Sequence, residues 1–126
     1  MIEIYAFATP NSVKVPIALE EMGLAYRLKP VNVRKGEQKH AEFTALNPNG
    51  KVPVLVCAEG VVADSTAILQ FLDTRLPEPR RLYPEALRAE VEALEEEFDE
   101  RLGVETRRWV YYHWMQRPPR EVLATA

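Results

Sequence analysis

Residues 47–57 read NPNGKVPVLVC, a turn of Asn, Pro and Gly that runs straight into an apolar segment. VPVLVC, 52–57, has the length and β-branched content of a buried strand. Three residues, AEG, separate it from a second apolar run, VVA at 61–63, and this spacing predicts a β-hairpin. Pro53 stands second in its strand and has no N–H to give to a sheet ladder. Two solutions are open. A trans proline at a strand start or edge is the commoner one; a cis Val52–Pro53 bond would turn the Val52 backbone N–H and C=O outward, to pair with an extended, peptide-like ligand.

Working outward, ADSTAILQFLDTRL follows the hairpin with Ile68, Leu69, Leu72 and Leu76 at helical spacing and Asp64 and Ser65 as start residues. They can be a plain cap. A helix start also offers free N–H groups and a positive dipole end to a carboxylate, with the Ser65 hydroxyl as a further donor. Upstream, residues 2–7 read as a strand. TPNSVKVPIALEEMG, 9–23, reads as a helix through Val13, Ile17, Ala18 and Met22, stopped by Gly23, with Pro16 in the first turn. Tyr26–Val33 predicts a second strand, KGEQ a polar turn and HAEFTAL a short helix. The order β-α-β-α-β-β-α over 1–77 is that of an α/β sheet with one crossover helix.

PEPRRLYPE, 77–85, carries three prolines and marks 78–84 as a linker. Beyond it, Leu87, Val91, Leu94, Phe98 and Leu102 form the apolar face of a long, otherwise acidic helix. A further helical stretch, 104–116, is dense in Trp109, Tyr111, Tyr112, Trp114 and Met115, which suit a core or a subunit interface; Pro118 and Pro119 end it. Residues 85–126 are thus expected to be an abbreviated, partial all-α domain.

The 126 residues are 47% apolar and 28% charged with net charge -3, a globular composition. No apolar run reaches bilayer length and no secretory leader pattern opens the chain, so a cytoplasmic, non-membrane protein is expected. Acidic 90–100 and a short basic patch at 107–109 leave no sustained basic face for nucleic acid. The single Cys57 makes neither a CxxC pair nor a thiolate cluster, and His40 and His113 match no metal spacing, so no metal is expected.

Together, TPNS–VKVPIALEE–GL, KGEQ, EF–LNPNGKVPVL and ADSTAILQFLD resemble the N-terminal thioredoxin-like domain of cytosolic glutathione transferases, with TPN and GEQ most like the nu-class branch. The resemblance implies glutathione as cosubstrate, with no permanently bound cofactor. It implies a cis Pro53, Val52 backbone atoms pairing with the cysteinyl part, and Asp64 and Ser65 at the γ-glutamyl end. Gln38 and Lys51 would lie near the glycyl carboxylate. Thr9 and Asn11 would face the sulfur as catalytic groups, with Ser12 capping or in reserve.

The expected activity is transfer of glutathione to a small electrophile or reduction of a disulfide. The alternative is a non-catalytic glutathione-binding or protein-interaction module. The family's helical domain is considerably longer than 85–126, and the apolar surface so left implies a homodimer.

Overall fold

The structure, a computed structural model, describes residues 1–116. It divides into two compact units, the first Met1–Pro84 and the second starting at Glu85.

In the first unit, β1 (Ile2–Ala6), α1 (Pro10–Met22), β2 (Tyr26–Pro30), α2 (Ala41–Thr44), β3 (Val54–Cys57), β4 (Gly60–Ala63) and α3 (Ser65–Asp73) follow in the expected order. The strands form one sheet, β2-β1-β3-β4, in which β1 is parallel to β2 and antiparallel to β3, and β3 is antiparallel to β4. This is the thioredoxin-like arrangement.

Alternation along the strands sorts side chains to two faces. Ile2, Ile4, Ala6 and Leu55 pack with Val15, Leu19, Ile68 and Leu72 from α1 and α3. Val54 packs with Val31 and Phe43 on the α2 face, where the Tyr5 and Phe43 rings lie 6.3 Å apart. Truncating a fully buried Leu55 to Ala would cost about 2–5 kcal/mol.

Several local expectations are corrected. Helix α1 starts at Pro10, so Pro16 lies inside it rather than in its first turn, and Ser12 C=O loses the N–H it would receive there. The buried face of α1 is Ser12, Val15, Ala18, Leu19 and Met22, while Val13 and Ile17 face solvent. Strand β2 ends at Pro30, because Asn32 turns the chain: its side-chain oxygen accepts from the N–H groups of Arg34 and Lys35. Pairing of Cys57 with Gly60 shortens the hairpin turn to Ala58 and Glu59. The Cys57 thiol hydrogen-bonds to Glu59, and with the Arg75 guanidinium 2.8 Å away holds that carboxyl below its ordinary value.

The proline-rich stretch carries contacts of its own. Asp73, fully buried at the end of α3, accepts from the backbone N–H of Leu82 at 2.6 Å and of Tyr83 at 3.1 Å. Arg80 donates to Met22 C=O at 2.9 Å and Arg81 to Leu76 C=O at 3.0 Å. Residues 78–84 therefore fold with the first unit, and the boundary falls after Pro84.

In the second unit, α4 (Arg88–Glu97), a π-helical turn (Phe98–Leu102) and α5 (Gly103–Gln116) run without interruption. Gly103 N–H donates to Phe98 C=O, and a Cβ on Gly103 would stand 3.0 Å from that oxygen, so a glycine suits the wide turn. None of the described residues here is buried; the aromatic stretch is exposed, Trp109 at 67%. Pro118 and Pro119 lie outside the described residues.

Replacing Asp73 by Ala leaves two backbone N–H groups without their charged acceptor, and urea denaturation should show a loss of about 2–4 kcal/mol. Asp73→Asn, which keeps one oxygen acceptor, should lose about half as much.

Candidate functional site

Strand register determines which loops meet. Ala6 pairs with Pro30, Tyr5 with Val54, and Val54 with Ala63. The exits of β1, β2 and β4 and the entrance of β3 therefore share one end of the sheet. Thr9, the 33–39 turns, 47–53 and Asp64–Ser65 all lie on segments that leave or enter there.

Thr9 is the N-cap of α1: its Oγ1 accepts from Ser12 N–H at 3.3 Å and donates to Ser12 Oγ at 3.0 Å. Ser12 is closed to solvent, Thr9 is half-buried, and Asn11 is exposed in the first turn. These three sequence candidates thus separate into an inner hydroxyl, a cap hydroxyl at the rim and an outward amide.

The Val52–Pro53 bond is cis, with Pro53 buried, Val52 half-buried and Lys51 exposed. The turn before it is held by Asn47, whose buried amide donates to Lys51 C=O at 2.8 Å and accepts from Asn49 N–H at 3.1 Å. Gly50 has φ 59, and a Cβ there would lie 3.2 Å from the Gln38 carbonyl. The two loops bearing Gln38 and Lys51 are therefore in contact at Gly50. Asn47 and Gly50 were not among the expected site residues; the signal lay in the NPNG turn itself, an amide able to fold back on its own loop and a glycine able to take positive φ.

Gln38 sits in a 3-10 turn with its Oε1 buried and without a hydrogen-bond partner. Glu37 beside it accepts from Asn32 N–H at 2.6 Å, which pins the turn.

Asp64 caps α3, its Oδ1 accepting from Thr66 N–H at 3.0 Å and Ala67 N–H at 3.2 Å. Its backbone has φ 82, the only positive value at a non-glycine among the described residues, and such strain costs about 1–3 kcal/mol. The exposed Asp64 and buried Ser65 thus start α3 at the sheet end shared with Thr9 and Pro53. A cavity of about 530 Å³ lies between the sheet and α2, lined by Tyr5, Pro30, Val31, Glu37 and Phe43 among others and by none of the candidate residues themselves.

The model of the glutathione S-transferase N-terminal domain matches residues 8–75, more than half of the chain. The chain belongs to the glutathione S-transferase family.

Among its curated relatives, a zeta-class glutathione S-transferase of Euphorbia esula is 49% identical over 72 residues, 57% of this chain and 32% of the relative. A maleylacetoacetate isomerase of Pseudomonas aeruginosa is 39% identical over 85 residues, 65% of this chain and 40% of that one. A glutathione transferase homolog from Sulfitobacter, solved with bound glutathione, superposes with TM-score 0.75 at 26% identity, over 82% of this chain and 51% of its own. The chain spans about a third of the length of the first curated relatives it matches. The narrower nu-class likeness is not confirmed by these names, of which the Euphorbia esula relative's gives the zeta class.

In this glutathione S-transferase chain the Asp64 backbone and side chain pull in opposite directions, and substitution should separate them. Asp64→Ala loses the cap while keeping the strained φ, for an expected drop of about 1–2 kcal/mol in urea unfolding. Asp64→Gly relaxes the backbone, loses only a few tenths of a kcal/mol through the cap, and should come out close to neutral.

Proposed function

We propose that the chain binds glutathione at the shared end of the sheet and lowers the pKa of its thiol for attack on a small electrophile. The observation that carries this reading is the convergence, at one sheet end, of two helix N-termini and the entrance of β3. Glutathione is a short, doubly carboxylated peptide with one thiol. The Val52 backbone ahead of β3, an α3 N-terminus at one end and Lys51 at the other offer partners for its cysteinyl amide, γ-glutamyl carboxylate and glycyl carboxylate. Asp64 would take the γ-glutamyl ammonium, with the Ser65 N–H or hydroxyl on the carboxylate. The Gln38 amide, turned by half a revolution, would offer N–H to the glycyl carboxylate.

A thiol of ordinary pKa is about 8.5, and lowering it by one to two units takes ~1.4–2.7 kcal/mol of preferential thiolate stabilisation. Thr9 and the α1 N-terminus supply interactions of that order. The Thr9 hydroxyl would redirect its proton from Ser12 Oγ to the sulfur, while Ser12 N–H continues to donate to Thr9 Oγ1. Ser12, buried behind it, then donates its own hydroxyl proton to Thr9 and keeps the pair satisfied. The Asn11 amide adds a second donor at the rim.

The names of the relatives favour one class of electrophile. A cis double bond conjugated to a carbonyl can accept the thiolate, rotate about the resulting single bond and expel the thiolate again as the trans isomer. Glutathione is regenerated, so no oxidant or reductant is consumed. Disulfide reduction, the other expected use of the thiolate, ends instead in a glutathione mixed disulfide. A homodimer belongs to the same reading.

Millimolar glutathione should raise the melting temperature of the chain. Turnover of a chloronitrobenzene, a cis-enone or a mixed disulfide would distinguish an enzyme from a binding module. Thr9→Ala should lower that turnover by about 10²-fold while glutathione binding changes only a few-fold, with a smaller loss for Asn11→Ala. No thermal shift in millimolar glutathione would overturn the reading.

A further inference from the structure

The cavity between the sheet and α2, about 530 Å³, has the volume of a small-molecule site and is lined by none of the residues proposed to hold glutathione. Strand register builds it. Tyr5 pairs with Lys29 of β2 and with Val54 of β3, so these side chains share the sheet face on which Val31 and Phe43 also pack. The rings of Tyr5 and Phe43, 6.3 Å apart and inclined at 57°, give the cavity two aromatic walls, and Val31 and Leu46 add aliphatic surface. Phe43 is buried and Tyr5 half-buried, so the core holds both rings in place.

The polar part of the lining is weighted towards acid. Lys29 supplies an ammonium, but Glu3, outside the lining, already balances it at 3.4 Å. Glu37 spends Oε2 on the Asn32 N–H at 2.6 Å and keeps Oε1 for a ligand. Glu42 stands exposed at the rim, where His40 adds an imidazole. Among the described residues neither Glu37 nor Glu42 is ion-paired. Carboxylates beside ring faces act on a positive charge in the same direction, the ring through its quadrupole and the carboxylate through a charge-assisted hydrogen bond. An organic anion would meet both carboxylates and an ammonium that is already paired.

We infer that this cavity is a second ligand site, and that it takes a small organic cation with an apolar, preferably aromatic, body. The ammonium faces Glu37 and Glu42, and the body rests against Tyr5 and Phe43. The site stands independently of glutathione binding, since its walls come from β1, β2, the 33–39 turns and α2 alone.

NMR titration of the full chain with phenethylamine tests it, with 3-phenylpropionate and 2-phenylethanol as anionic and neutral counterparts. Phenethylamine should bind with a Kd at or below about 1 mM and shift the amide resonances of Tyr5, Lys29 and Phe43 rather than those of Thr9, Lys51 and Asp64. The anion should bind at least about ten-fold more weakly. Glu42→Gln, and Glu37→Gln, which keeps an acceptor for the Asn32 N–H, should each weaken the cation by about three-fold or more. Glu42→Lys, a surface exchange, should reverse the order of cation and anion. Tyr5→Phe keeps the ring and should hold the Kd within about two-fold, whereas Tyr5→Leu should weaken it clearly. Millimolar glutathione should leave the cation bound. Absence of shifts at about 10 mM cation, equal binding of all three probes, or displacement by glutathione would each overturn the inference. A missing glutathione thermal shift would instead overturn the proposed function and leave this site standing.

Discussion

Two consecutive residues of β3, Val54 and Leu55, are both fully buried, on opposite faces of the sheet. Everything around them follows from that constraint. A strand covered on both faces cannot slip by one residue without exchanging its two cores, so register against β1 and β4 is tightly specified. Register in turn fixes where the chain enters β3, and with it the position of Pro53, Val52 and the Asn47 turn relative to the ends of β1 and β4. The loops that gather at the sheet end are positioned by apolar packing several residues away from any polar group in them.

Burial on both faces is also why the fold was legible. VPVLVC is continuous and apolar rather than alternating, as a covered strand must be, and the hairpin and the α3 cap follow it within a few residues. The helices were less transparent. Val13 and Ile17 match an amphipathic pattern as well as Val15 and Leu19 do, and only the sheet behind α1 decides which set turns inward. Pro16 suggested a helix start because an interior proline is costly; the actual start is fixed by Thr9 and Pro10, whose cap geometry outweighs it. The π turn gave no signal at all. It is visible only as a phase shift between the two halves of the helix.

At the candidate site, motif residues were legible and the means of holding them were not. TPNS, GKVP and ADSTA announce caps and turns through residue type. That Ser12 is sealed behind Thr9, that Asn47 spans its own turn, or that Gly50 touches the Gln38 loop depends on distances between segments well apart in sequence. Residue chemistry names the donors, whereas the packing decides which of them faces outward.

Family likeness and physical closure have different lengths in this chain. The matched segment ends at residue 75, yet Asp73 inside it is coordinated by N–H groups from Leu82 and Tyr83, beyond its edge. A fragment excised at the recognisable boundary would keep the anion and discard its solvation shell. The few residues after the motif, rich in proline, close over a carboxylate that the motif itself has placed at the end of α3.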